Sequence, residues 1–219
     1  MELWSRWPGQ ESLYARSQRE RVKVALDGMP VSLHTGFAYT LAEQQVQIDA
    51  ARDLGAGVLV VHPDEFFAGG KEGCLDGALL RDVVAYASER GVRIALENGD
   101  LAFLEQALAE EGDLGICLDI GHVYMTRDSL AAYLNALRMR LIHLHLQDIL
   151  PPSEGELPHP GADHYVPGTG GIPEDDWDLL ATTLQETDYD GTAVFEIRPR
   201  NPYQTAYLGA QFFRRFVPR

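Results

Sequence analysis

Six side chains of the kinds that bind metal ions or move protons stand at the ends of short apolar runs in this sequence. The runs read, for example, "VSLH", "ALE" and "CLD". Imidazole and carboxylate groups without a nearby thiolate suit Mn²⁺, Mg²⁺, Co²⁺, Fe²⁺ or Zn²⁺, and the same groups act as general acids and bases. The six residues are His34, His62, Glu97, Asp119, His145 and Glu196.

The apolar runs themselves predict strands of a parallel sheet that is buried on both faces. They are continuous rather than alternating between polar and apolar residues, which is typical of such sheets. A weaker strand is predicted at the start of the chain, in "MELW". The clear predicted strands are 31–34, 58–62, 92–97, 115–119, 141–146 and 192–197.

Amphipathic segments lie between these strands and predict helices. Asp100 and Thr126 are expected to cap two of them, and the other predicted helices are 10–27, 40–54, 74–90, 173–186 and 203–216. Alternating strands and helices indicate an α/β fold, and the glycine fingerprint of a dinucleotide-binding sheet is absent from the sequence. We therefore predict a single domain over residues 1–219, a TIM-type (β/α) barrel of about seven strands that is short of one N-terminal strand.

A barrel would bring the six polar side chains to one mouth, because its active site forms at the carboxyl ends of the strands. Buried carboxylates and imidazoles repel one another or stay unsatisfied unless a cation holds them. The pattern thus predicts a divalent metal ion. Taken singly, each residue also has a structural interpretation; Asp119, for instance, could bond its own turn. His143 shares a strand face with His145 but lies two residues earlier, one layer of side chains deeper in the predicted barrel, and is interpreted as structural.

Charge and composition narrow the class of partner. The formal net charge is −15, with 33 acidic and 18 basic residues, which disfavours nucleic acid. No apolar run reaches the length of a membrane span, and no signal peptide is evident, so a cytoplasmic protein is expected. The Pro- and Gly-rich segment 149–172 predicts a long functional loop.

An ordered series of motifs resembles the xylose isomerase-like barrel superfamily. The motifs are "SLHTGF", "VVHPDEF", "ALENG", "CLDIGHVY", "HLHLQD", "GTGGIPEDDW" and "FEIRPR", and they span about residues 31–200. This superfamily includes sugar phosphate isomerases and epimerases, ketose 3-epimerases, inosose dehydratases and the endonuclease IV type of nuclease. No single motif is specific, but their order along the chain is.

The resemblance implies a metal site and a set of catalytic and substrate-binding residues. It assigns the metal to Glu97, Asp119, His145 and Glu196, and in the epimerases the two glutamates also act as acid and base. In the epimerases, the residues that match His62 and His122 contact the substrate. In the nuclease branch, the positions of His34, His62, His122 and His164 help to hold further metal ions. That branch has Asp-x-His where this chain reads Ala162-Asp163-His164, so its aspartate is absent or shifted by one.

These observations favour a metal-dependent sugar or sugar-phosphate isomerase or epimerase that works through an enediolate. Arg198 would hold a hydroxyl or a phosphate of the substrate, and Phe37 would give an apolar wall. The alternatives are a phosphodiester hydrolase of the endonuclease IV type, a lyase of the inosose dehydratase type, and a non-catalytic protein that retains a metal. An exposed barrel edge would favour a homodimer.

Overall fold

The computed structural model describes residues 1–5, 12–126, 128–150, 159, 161–198 and 202–216. These residues group into two compact units, Met1–Ile116 and Cys117–Arg219, with the boundary inside one strand. A single domain stays a prediction. Seven strands are present in the described residues, which agrees with the predicted number. They are β1 (Glu2–Trp4), β2 (Ser32–His34), β3 (Val58–Val61), β4 (Arg93–Glu97), β5 (Gly115–Asp119), β6 (Leu141–Leu146) and β7 (Thr192–Phe195).

Helices alternate with these strands along the chain, as the sequence pattern predicts. None of the described helices combines the length and the apolar content that a membrane crossing requires. They are α1 (Arg16–Leu26), α2 (Leu41–Leu54), α3 (Gly77–Ser88), α4 (Leu101–Glu110), α5 (Ile120–Val123), α6 (Leu130–Leu137), α7 (Glu174–Glu186) and α8 (Pro202–Phe213).

In the N-terminal unit, strands β1 to β4 lie side by side in sequence order and every pair is parallel. Leu33, Leu59 and Ile94 on three of these strands are buried, as continuous apolar runs require. The register pairs Trp4 with His34, so the end of the weakly predicted strand lies beside the end of β2. The carboxyl ends of these strands therefore share one edge.

Side-chain caps fix where several helices begin. The Asp100 carboxylate accepts a hydrogen bond from the Phe103 N–H, which confirms the predicted cap of α4. The predicted cap at Thr126 is wrong. Helix α6 begins at Leu130, and the cap is Ser129, whose hydroxyl accepts from Ala132 N–H; the Thr126 hydroxyl instead donates to the Val123 carbonyl. A short helix, α5, follows β5 directly, and α6 begins only after it, at Leu130.

In the C-terminal unit, β6 and β7 are parallel neighbours, and His145 lies opposite Val194. Trp177 on α7 and Tyr133 on α6 are fully buried in this unit. The predicted strand 192–197 ends earlier in the structure, at Phe195, so Glu196 lies just beyond the strand. The position of its side chain is therefore set by the segment after β7 and not by the backbone hydrogen bonds of the sheet.

Candidate functional site

Three of the predicted metal ligands come together in the C-terminal unit. His145 Nδ1 lies 2.9 Å from Glu196 Oε2 and 3.7 Å from Asp119 Oδ2. One ligand atom from each of the three residues lies within 4.8 Å of the others. Asp119 and His145 are fully buried, and the Glu196 side chain is 18% exposed. We call Asp119, His145 and Glu196 the carboxylate–histidine cluster.

Local structure orients Asp119 at the end of β5. Its Oδ1 accepts the backbone N–H of His122 at 2.9 Å, which is the turn interaction expected for an aspartate at this position. Its Oδ2 accepts the Gln147 Nε2 amide at 2.5 Å. Gly121 allows this contact, because a Cβ there would lie 2.7 Å from the Gln147 side chain. Gly121 and Gln147 thereby hold Oδ2 on the side where His145 lies.

The carboxylate–histidine cluster fits a divalent metal ion. Metal–ligand bonds of about 2.1 Å place ligand atoms ~3 to 4 Å apart, which these separations allow with small shifts. Glu196 Oε2 is buried and has no hydrogen bond within the described part of the chain, although it lies close to His145. Two carboxylates in so small a buried space are costly without a compensating cation. The donor set of oxygens and one imidazole suits Mn²⁺, Mg²⁺, Co²⁺, Fe²⁺ or Zn²⁺.

A buried aspartate anchors the described part of the long loop, 161–172. Asp148 Oδ1 accepts the backbone N–H groups of Ile149 and Ile172, at 2.8 and 3.1 Å. Its Oδ2 accepts those of Gly168 and Gly170, at 2.8 and 3.0 Å. The three amide donors at Gly168, Gly170 and Ile172 hold the loop against the end of β6, where His145 also lies.

The same loop positions His164. The backbone N–H of His164 donates to Gln147 Oε1 at 2.5 Å, and its Nδ1 lies 3.2 Å from the Glu196 carbonyl oxygen. Its φ of +62° lies in the left-handed region, an uncommon conformation for a residue other than glycine. His122, Asp163 and His164 have ligand atoms within 4.8 Å of one another. Asp163 thus lies beside both histidines from a position one residue before His164, and its equivalence to the aspartate of the nuclease branch stays a prediction.

A second group of predicted residues comes together in the N-terminal unit. Glu97 Oε2 lies 3.4 Å from His62 Nε2 and 3.7 Å from His34 Nε2. Glu97 and His34 are buried, and the His62 side chain is 26% exposed. Trp4 stacks on His34 with the ring centroids 4.2 Å apart. The ends of β1 to β4 thus form an aromatic and acidic edge, with the carboxylate between two imidazoles.

A buried glutamate that the sequence analysis did not single out supports His62. Glu65 Oε1 lies 3.7 Å from His62 Nδ1, and its Oε2 accepts the Gln44 Nε2 amide at 2.8 Å. Burial lowers the pKa of His62, but the contact with Glu65 and the charges of Glu97, Glu65 and Asp64 outweigh it and raise the pKa to about 9. His62 is therefore an imidazolium at neutral pH unless a metal ion displaces the proton.

This raised pKa predicts a pH-dependent stability for the metal-free protein. Folded His62 binds its proton up to about pH 9, and unfolded histidine only up to about pH 6.5. The stabilisation is therefore complete below about pH 6.5 and is lost as the pH rises through about 9, by about 2 to 3 kcal/mol. Urea unfolding in the presence of a chelator at pH 6 and pH 9 measures it. His62→Asn should lose less stability than the parent over this interval, and equal losses would contradict the prediction.

Two predicted substrate-binding residues lie outside these clusters. Phe37 follows β2 in the N-terminal unit, with a side chain 49% exposed and a φ of +56°. Flanking contacts hold this strained backbone, since Gly36 N–H donates to Gln47. Arg198 follows β7 in the C-terminal unit, and its guanidinium lies 3.0 Å from Asp163 Oδ1. An exposed aromatic ring and a guanidinium near strand ends are compatible with substrate contact.

The chain matches the model of the xylose isomerase-like TIM barrel family over residues 28–216, and it belongs to that family. The predicted fold class and the resemblance are thereby confirmed. No curated protein matches the sequence.

Solved structures show the same fold at low sequence identity. A 3-keto-D-glucoside 4-epimerase from E. coli is 20% identical with a TM-score of 0.66, over 93% of this chain and 86% of that one. A D-psicose 3-epimerase from Clostridium cellulolyticum, solved with D-tagatose, is 16% identical with a TM-score of 0.71, over 99% and 89%. The TTHB071 protein from Thermus thermophilus, soaked with ZnCl₂, is 23% identical with a TM-score of 0.66, over 95% and 86%.

Proposed function

We propose that this protein is a divalent-metal-dependent isomerase or epimerase of sugars or sugar phosphates. The carboxylate–histidine cluster carries the proposal, because it places two carboxylates and one imidazole at strand ends within reach of one ion. Family membership and the two epimerase structures support the same reaction class. On the resemblance alone, Glu97 is the fourth ligand and the second acid/base residue.

The proposed reaction moves a proton at the carbon next to a carbonyl group. A bound divalent ion would polarise the carbonyl oxygen and acidify that C–H bond. One glutamate carboxylate takes the proton, and the second carboxyl group delivers a proton to the opposite face of the same carbon. We assign these roles to Glu97 and Glu196. His62 and His122 would contact the substrate, His62 as a hydrogen-bond donor whose ring Glu65 holds in place.

Metal analysis combined with solvent exchange tests the proposal. Protein purified without chelators or a metal-affinity tag is assayed for elements, then incubated in D₂O with a panel of ketoses and their phosphates. About one Mn, Co, Fe, Mg or Zn per chain, with deuterium entering beside the carbonyl, is expected. Metal without exchange on any member of the panel would favour the non-catalytic alternative, and release of water from a cyclic polyol would favour the lyase. A chain that binds no metal after soaking would overturn the proposal.

The two histidine-rich groups give specific support to one alternative. His34, His62 and Glu97 form one group with metal-binding spacing, and His122, Asp163 and His164 form another. Additional metal ions, one held by each group, suit hydrolysis of phosphodiesters. The net charge of −15 and the Asp163–Arg198 contact weigh against it. Two or three Zn or Mn per chain, with cleavage of abasic DNA, would favour this second function.

A further inference from the structure

A cavity of about 260 Å³ lies in the C-terminal unit beside the carboxylate–histidine cluster. The loop after β6 forms one wall, and the chain that follows β7 forms the other with a residue of α8. The polar lining consists of Asp163, His164, Tyr165, Thr169, Arg198 and Thr205.

His164 lies between the cavity and the carboxylate–histidine cluster. His164 is a lining residue of the cavity, and its Nδ1 is 3.8 Å from Glu196 Oε1. Its Nε2 points to the other side, 3.3 Å from Asp163 Oδ2. A ligand held at Glu196 therefore has this cavity as its neighbouring space. The volume is below the ~300 Å³ of a complete small-molecule site, which suits one end of a ligand.

The described lining residues carry one positive and one negative side-chain charge. Arg198 is the single Lys or Arg among the described lining residues, and Asp163 is the single Asp or Glu. The guanidinium and the carboxylate lie 3.0 Å apart. The Arg198 side chain is 61% exposed, whereas that of Asp163 is 13% exposed, so the guanidinium keeps donors directed to solvent and the carboxylate is held in the wall. The Arg198 backbone N–H donates to the His164 carbonyl at 2.9 Å, which fixes the pair to the loop.

A paired guanidinium and carboxylate recognise hydroxyl groups better than they recognise phosphate. A phosphate would meet the Asp163 charge and would share the Arg198 guanidinium with it, whereas sites that bind phosphate combine several donors with net positive charge. A hydroxyl group both donates and accepts, so neighbouring hydroxyls can donate to the carboxylate and accept from the guanidinium. Thr205 and the part-exposed Tyr165 line the same space with neutral groups.

We propose that this cavity binds the hydroxyl-bearing end of an uncharged sugar or polyol, so that the substrate is a free sugar rather than a sugar phosphate. This inference rests on the proposed function for its link to catalysis, and on the cavity alone for its ligand class. Asp163 and Arg198 are the residues that determine this preference.

Calorimetric titration tests the ligand class of the cavity separately from its link to catalysis. The parent protein, loaded with the metal it retains, is titrated with neutral ketohexoses and hexitols and with their terminal phosphates. We expect neutral ligands to bind at least 10-fold more tightly than their phosphates, and Arg198→Gln to weaken neutral binding about 10-fold. Arg214→Gln, at an exposed arginine of the same unit, is the matched control. Tighter binding of the phosphates, or no binding by any member of the panel, would overturn the proposal.

Turnover gives a second measurement where a substrate is found. Arg198→Gln should raise KM about 10-fold and change kcat less than about 2-fold, since the residue binds the distal end and not the reacting carbon. A fall in kcat with unchanged KM would contradict this assignment. If no ketose reacts, the proposed function fails, but the calorimetric preference for neutral ligands still tests the cavity.

Discussion

Glu196→Gln is expected to lower kcat about 10²–10⁴-fold on the ketose that the parent protein converts, because general acid–base groups contribute in that range. The amide cannot accept the proton from carbon, and it also binds a cation more weakly than a carboxylate does. Elemental analysis of the variant and steady-state rates measure the two effects separately. Turnover at the parent rate with the metal still bound would show that the two-glutamate scheme is wrong.

Two companion variants separate the proposed metal-binding role of Glu196 from its proposed role in proton transfer. Glu196→Asp keeps a carboxylate near His145 and should retain more metal than Glu196→Gln, while turnover falls because the proton acceptor is displaced. Glu186→Gln removes an exposed carboxylate on α7 in the same unit and should leave metal content and rate unchanged. A loss of metal in Glu186→Gln would show that the effect at Glu196 reflects general charge rather than ligation.

Asp148→Ala is expected to lower the free energy of unfolding by about 3 to 5 kcal/mol. The carboxylate is fully buried and accepts four backbone N–H groups, so its removal leaves donors without an acceptor. A donor left unsatisfied in a buried site costs about 1–3 kcal/mol, and water that enters the space offsets part of the total. Urea unfolding followed by circular dichroism measures the change.

The conservative variant sharpens this prediction. Asp148→Asn keeps one oxygen acceptor but directs an NH₂ group at backbone N–H donors, so it should also destabilise the protein, by about 2 kcal/mol. Asp178→Ala, at an exposed aspartate of α7, should change the stability by less than about 0.5 kcal/mol. Equal, small effects of Asp148→Ala and Asp178→Ala would mean that the loop is not anchored through this carboxylate.

The strands and their polar ends were predictable because both depend on short-range patterns. A continuous apolar run marks a strand buried on both faces, and the residue that ends it, such as Glu97 or Asp119, needs no further information to be placed at a strand end. Element boundaries were less predictable. Ser129 and Thr126 are both favourable cap residues by type, and the short helix α5 after Asp119, which the sequence analysis did not predict, precedes the helix that Ser129 caps.

Residues that support the site were not predictable, because their burial depends on contacts between distant parts of the chain. Glu65 stands among polar residues in "HPDEF" and is buried through Gln44, 21 residues earlier. Gln147 reaches Asp119 across 28 positions. Asp163 lies in a loop without periodicity, so nothing local indicates that its carboxylate faces both Arg198 and His164.

The hydrogen bond from the Leu150 N–H to the Ala162 carbonyl, 2.7 Å long, joins the two ends of the segment between them. The chain beyond Leu150 therefore returns at Ala162 to nearly the same point, next to the Asp148 anchor. Closing a longer chain between two fixed ends costs little, about 0.6 kcal/mol for each doubling of its length. Residues 151–161 are thus a natural place for evolution or protein engineering to exchange sequence, because the two ends and the Asp148 anchor can stay where they are.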